Sequence, residues 1–171
     1  MIIRTASIHD IPALDALFAE ARMTIAALGI DQWQNGYPSL AVIGEDVSLG
    51  RAYVIDVEGC VVGTFVLITD GEPTYDRIYD GAWRTGDGDD YVAIHRVAVS
   101  VKRRGSGIST AILDYAQEVA RQEGRSSLRI DTHRGNVVMR RMLEKHGFVH
   151  CGSIYLENGD HRVAYEKILT P

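Results

Sequence analysis

The chain of 171 residues carries two cysteines, two tryptophans and fewer basic than acidic side chains. Each shortage excludes something. Cys60 and Cys151, in a sequence with no basic and then apolar leader pattern at Met1-Ile2-Ile3-Arg4, read as reduced thiols packed in or near the core of a cytoplasmic protein. A formal charge of −5, from 18 Lys and Arg against 23 Asp and Glu, argues against general nucleic-acid binding, which needs a basic face. No apolar run approaches the ~18 residues of a membrane span. His133, His146, His150, Cys151 and His161 match no standard zinc spacing, so no metal is expected. There is no internal repeat, low-complexity tract or linker. With 46% hydrophobic and 24% charged residues, the composition is that of one soluble globular domain over residues 1–171.

What is present is a regular alternation of elements. Ile2 to Thr5 is a short strand. Ser7 and Asp10 stand as N-caps before Ile11, Leu14, Leu17, Phe18, Ala21, Ile25 and Leu28, which recur at helical spacing until Gly29. Ser39 to Leu49 reads as a second helix. Ala52 to Val57 and Cys60 to Thr69 form a hairpin around Glu58-Gly59. Residues 70–90 read as a long polar loop with seven acids (Asp70, Glu72, Asp76, Asp80, Asp87, Asp89, Asp90) against Arg77 and Arg84. Such a loop inside a compact domain is functional or disordered more often than not. Then come a strand (Tyr91 to Ser100), a helix (from Ile108 to near Gly124), a strand (Leu128 to Thr132), a helix (Asn136 to His146), and a hairpin of Phe148 to Leu156 with Arg162 to Leu169 around Asn158-Gly159. The order predicts an α/β (α+β) domain with helices covering a partly antiparallel sheet.

The sharpest local signal is the turn Arg103-Arg104-Gly105-Ser106-Gly107-Ile108-Ser109, between a strand and a helix. Glycines let backbone approach a ligand closely. Successive N–H groups at a helix head make a concave anion site, which the helix dipole and two arginines reinforce. A phosphate-bearing ligand is one reading and simple helix capping the other. The P-loop pattern is absent, and the dinucleotide pattern Gly-x-Gly-x-x-Gly fails at Thr110.

The turn together with Val97-Ala98-Val99-Ser100 before it resembles motif A of the GNAT superfamily of N-acetyltransferases, Arg/Gln-x-x-Gly-x-Gly/Ala. Arg104 and Gly107 fit, and Ser109 stands where Gly or Ala is usual. Downstream, Asn136, Glu144, Lys145, Gly147 and Phe148 fit the family's Asn-x-x-Ala-x-x-Leu-Tyr-Glu-Lys-x-Gly-Phe segment. The element order agrees along nearly the whole chain. The resemblance implies a GNAT fold: a mixed, mostly antiparallel central sheet flanked by helices and splayed between the fourth and fifth strands. It implies acetyl-CoA as cosubstrate, with Val97, Ala98 and Val99 along the pantetheine arm and Arg104, Gly105, Ser106, Gly107, Ile108 and Ser109 at the pyrophosphate. Asn136 joins the cofactor side, and no metal is needed. The acceptor implied is a primary amine of a small molecule or peptide, which attacks the thioester directly. The protein would work as a monomer or homodimer, with no nucleic-acid or membrane partner.

Direct attack needs a base. His95 is the first candidate, placed by the two-residue strand period on the face of Val97 and Val99; a structural histidine is the alternative. The family's tyrosine, which protonates the leaving thiolate, aligns with Leu143. Either Tyr155 substitutes as donor, or the thiolate leaves unassisted, as a thiol of pKa about 8.5 can. Trp33, in the early segment 32–38, is expected to wall the acceptor side, and Asp70 and Glu72 to reach the acceptor. The acidic 70–90 segment hints at a cationic acceptor. Two further readings stand beside the enzyme: a GNAT-fold module that binds acetyl-CoA without catalysis, and a nucleotide-handling enzyme built on the glycine turn.

Overall fold

The structure is a computed structural model that describes residues 1–88 and 90–169. Asp89, one of the acids of the 70–90 segment, lies outside the described residues. Seven strands follow the order β1-β2-β3-β4-β5-β7-β6: β1 Ile2–Thr5, β2 Ala52–Val57, β3 Cys60–Ile68, β4 Tyr91–Val99, β5 Ser127–Thr132, β6 Val149–Tyr155 and β7 His161–Ile168. Four helices intervene: α1 Ile11–Ala27, α2 Leu40–Ser48, α3 Ile108–Gln122 and α4 Val137–Lys145. β1–β2, β2–β3, β5–β7 and β6–β7 pair antiparallel, and β4–β5 pair parallel. This is the mixed, mostly antiparallel sheet with helices that the sequence predicts. The β4–β5 ladder ends at Ile94↔Ile130, although β4 continues to Val99 and β5 to Thr132.

Two compact units divide the chain. The first comprises Met1–Leu67 and Arg96–Ile112. Its β1 is joined to α1 by Asp10, which accepts from the Ser7 amide and hydroxyl and from both terminal nitrogens of Arg4 at 2.8 Å. These bonds, Arg4 first, hold the Asp10 carboxyl well below the usual carboxylate range against the opposing effect of burial. α1 buries Leu14, Leu17, Phe18 and Ile25, the stripe its spacing predicts. Ser39 caps α2 by accepting from the Val42 amide. Glu58 and Gly59 both take positive φ, 56° and 82°, as a two-residue hairpin turn requires.

The second unit comprises residues 68–95 and 113–169. Here the 70–90 segment corrects the expectation of a merely solvated polar loop. Tyr75 and Trp83 are buried, residues 73–75 form a 3-10 turn, and Tyr79 bridges Ser153 on β6. The segment thereby covers the outer edge of β6, a strand that would otherwise present unpaired backbone. Its anchor is a buried ion pair: Arg129 Nε donates to Glu166 Oε1 at 3.0 Å, and Arg129 Nη2 donates to the Thr85 hydroxyl and the Gly86 carbonyl. The guanidinium lies 4.3 Å over the Trp83 ring and 4.1 Å over Tyr91. Glu166 also accepts from the amides of Arg84 and Thr85 and from the Thr85 and Ser127 hydroxyls. Cys151 is buried as expected, and burial, with Glu166 nearby, pushes its thiol up, so it is protonated at neutral pH. Cys60 is exposed, contrary to its expected place near the core, because it opens β3 directly after the hairpin turn.

Candidate active site

Within the second unit, the polar groups converge on His95. It sits at the end of the β4–β5 ladder, one residue past the Ile94↔Ile130 pair, so the parallel register brings Asp131 up beside it. His95 Nδ1 is 4.0 Å from Asp131 Oδ1 and Nε2 is 2.9 Å from Glu72 Oε2. The Glu72 contact lies out of line with the ring N–H, so it is an ion-pair contact rather than a formed hydrogen bond. The buried Tyr75 ring stacks on the imidazole at 5.6 Å, and its hydroxyl donates to Asp131 Oδ1 at 2.7 Å. Burial, then the Asp131 charge, raises the Tyr75 phenol well above its ordinary value, which fixes it as a donor. Glu72 is held from both ends of its backbone turn. Its amide donates to the Tyr91 hydroxyl at 2.9 Å, and its carboxylate accepts from the Thr74 amide and hydroxyl. Burial works to raise the Glu72 pKa, but the His95 ring and Thr74 outweigh it and bring the carboxyl down to about 2. At working pH Glu72 is therefore a fixed anion, unsuited to proton transfer and suited to orienting an imidazole.

The first unit carries the glycine turn. Residues 101–107 are exposed, and Gly105 and Gly107 stand at φ 75° and 81° with open space where a side chain would project. α3 begins at Ile108, so the amides of its first turn have no partner within the helix. Arg104 is steadied by donating from Nη2 to the Thr24 hydroxyl at 3.2 Å. Open backbone, free helix-head amides and adjacent guanidinium groups fit an anionic phosphate group. Ile108 and Ala98 are buried, whereas Val97, Val99 and Ser109 are half-buried.

Other predicted residues fall elsewhere. Asn136 caps α4, its Oδ1 accepting from the Met139 amide at 3.2 Å. Leu143, at the position of the family tyrosine, is completely buried and serves packing. Tyr155 is 45% exposed and belongs to a different set of contacts, edge-on to Tyr79 and His161. Asp70 is exposed. Trp33 packs edge-on to Phe18 at 5.8 Å in the first unit. The strand-period argument that places His95 on one face with Val97 fails. Arg96 between them takes φ 51°, a left-handed residue that breaks the alternation. Three members of the His95 group escaped the sequence reading: Tyr75, Tyr91 and Asp131. Asp131 had a usable signal, since equal-length parallel strands ending at Ile94 and Ile130 put the next residues side by side.

The fold and these two constellations are those of an acetyltransferase. A profile described as Acetyltransferase (GNAT) family matches residues 18–148, and the chain belongs to that family. It is similar to a GNAT-family acetyltransferase from Streptococcus agalactiae 2603, with 36% identity, coverage of 99% of this chain and 96% of that one, and a TM-score of 0.88. Two more distant structures share the fold. One is the PaiA N-acetyltransferase from Thermoplasma acidophilum in complex with coenzyme A, at 16% identity, 98% coverage of both chains and a TM-score of 0.73. The other is the ribosomal-protein-alanine N-acetyltransferase from Brucella melitensis, at 21% identity, 99% and 100% coverage and a TM-score of 0.72. No curated protein sequence matches the chain. Among the described residues no helix is long and apolar enough to cross a membrane, and no group of His, Cys, Asp and Glu is arranged to hold a metal ion.

Proposed function

We propose that the protein moves an acetyl group from acetyl-CoA to a primary amine of a small molecule or peptide, with His95 as the general base. The observation that carries this reading is the placing of His95 between two carboxylates, Glu72 at 2.9 Å and Asp131 at 4.0 Å, in a family whose chemistry is acetyl transfer. Glu72, always ionised, favours a proton on Nε2 and leaves Nδ1 as the basic nitrogen. The amine nitrogen attacks the thioester carbonyl carbon, its proton passes to Nδ1 directly or through water, and the C–S bond breaks to release the thiolate. The imidazolium that forms is stabilised by both carboxylates. Asp131 is kept in place by the Tyr75 hydroxyl. Arg104 and the amides from Gly105 to Ser109 hold the pyrophosphate, with the Val97, Ala98 and Val99 backbone along the pantetheine arm. Ser109 is small enough to keep this turn open.

The test is His95→Gln, followed by release of CoA thiol across an amine library. Turnover should fall by about 10²–10⁴, the usual contribution of a positioned base, with acetyl-CoA affinity unchanged. A variant with unaltered turnover and pH–rate profile would remove His95 from the role. The fully buried Leu143 favours a second reading, a module that binds acetyl-CoA without transfer, because no tyrosine stands there to protonate the thiolate. That reading predicts acetyl-CoA binding with no thiol release from any amine.

A further inference from the structure

Arg96 is the most anomalous residue of the first unit. Its backbone is left-handed at φ 51° inside a strand, a conformation that a side-chain-bearing residue adopts at a cost and that clusters at functional sites. Its side chain is 16% exposed, yet Nε and Nη1 are both sealed from water without a hydrogen-bond partner. Asp46 Oδ2 lies 3.4 Å from Nε but out of line, so it balances the charge without satisfying the donor. The Tyr37 ring faces the guanidinium at 5.6 Å, and Trp33 lies 6.4 Å beyond that ring.

A purely structural arginine looks different in this same protein. Arg129 spends its fork on Glu166, Thr85 and the Gly86 carbonyl and is stacked by two rings. Arg96 holds two charged donors in reserve, in the residue that follows His95 in the chain. The neighbouring loop repeats the pattern: Gln32 is buried and its Oε1 has no partner. Donors of a planar guanidinium, left open beside aromatic rings, match a carboxylate, which takes two parallel N–H bonds from such a fork.

We propose that Arg96 is a specificity residue for the acceptor, and that the acceptor is an amine carrying a carboxylate, of the amino-acid or short-peptide class. The proposal rests on the acetyl-transfer reading above and replaces the cationic acceptor that the acidic 70–90 segment suggests. In that segment Glu72 is committed to His95 and Asp90 to Ser126. Because Nε and Nη1 are sealed in the ligand-free chain, the carboxylate reaches them by parting the Tyr37 ring from the guanidinium.

The experiment uses the full chain saturated with acetyl-CoA and follows thiol release. The probes are the common amino acids and a set of di- and tripeptides, each as the free acid and as its carboxamide. At least one free acid should be used with kcat/KM about tenfold or more above its own amide, the worth of one charge-assisted pair. Arg96→Gln should bring that ratio to about one with acetyl-CoA affinity unchanged, and Arg96→Lys should keep part of it. The comparison of acid with amide in the unaltered protein stands even if a variant folds poorly. Equal use of acid and amide, an intact ratio in Arg96→Gln, or turnover of simple amines with no free acid used would overturn the proposal. Failure to bind acetyl-CoA, or binding with no thiol released from any amine, would instead overturn the acetyl-transfer reading.

Discussion

Replacing Glu72 with Gln tests whether the His95 group is electrostatically built. Glutamine keeps the size and the acceptor for Thr74 but removes the charge beside the imidazole. In the folded chain the Glu72 carboxyl titrates at about 2 against an ordinary 4.5, although burial alone would move it the other way. At about 1.4 kcal/mol per pH unit, that difference amounts to about 3 kcal/mol of stability drawn from the ionised form. The side chain is only 15% exposed, so solvent screening removes little of it. The sign follows from a depressed folded-state pKa. The contribution is complete above pH 4.5, declines as pH falls, and is gone below about 2. Urea denaturation of both proteins at a series of pH values from 7 to 3 should therefore show the variant less stable by about 2–3 kcal/mol at neutral pH, with the gap narrowing below pH 4.5. Turnover should fall along with it while acetyl-CoA affinity holds, since Glu72 acts only through His95. A stability gap that stays constant from pH 7 to pH 3 would refute the electrostatic account and leave Glu72 as a turn cap.

Two structural predictions follow from the 70–90 segment. Gly152 stands at φ 151°, and an added Cβ would lie 2.5 Å from the Tyr79 carbonyl oxygen. Gly152→Ala must push that segment off β6 and should cost about 2 kcal/mol or more, read as a fall in Tm together with faster proteolysis within residues 70–90. Arg129→Met leaves Glu166 buried with its ion-pair partner gone and should cost about 3–5 kcal/mol in denaturation. A loss under about 1 kcal/mol would mean that the amides and hydroxyls around Glu166 carry the carboxylate alone.

Much of this was legible because it is local. Hairpin turns at Glu58-Gly59 and Asn158-Gly159, the apolar stripe of α1 and the Ser39 cap each follow from a few neighbouring residues, and each stands where the spacing puts it. The glycine turn was legible for the same reason: phosphate chemistry at a helix head needs only consecutive backbone. What escaped was set by pairings distant in sequence. Tyr75 meets Asp131 across 56 residues, and Glu166 meets the Arg84 amide across 82, so a stretch rich in Asp and Gly reads as loop although the sheet it covers gives it a buried face.

The most consequential miss was a single dihedral. Period-two reasoning runs unbroken from Tyr91 to Val99 only if every residue is extended, and nothing in the composition of that strand marks Arg96 as left-handed. The break separates the roles of neighbours that strict alternation would simply have placed on opposite faces. His95 closes the ladder beside Asp131, and Arg96 turns into the Asp46–Tyr37 group of the other unit. One strained residue thus puts the base and the proposed carboxylate receptor at consecutive positions of one strand. A chain that needed Arg96 only as a strand residue would have no reason to keep either the strain or the two unused donors.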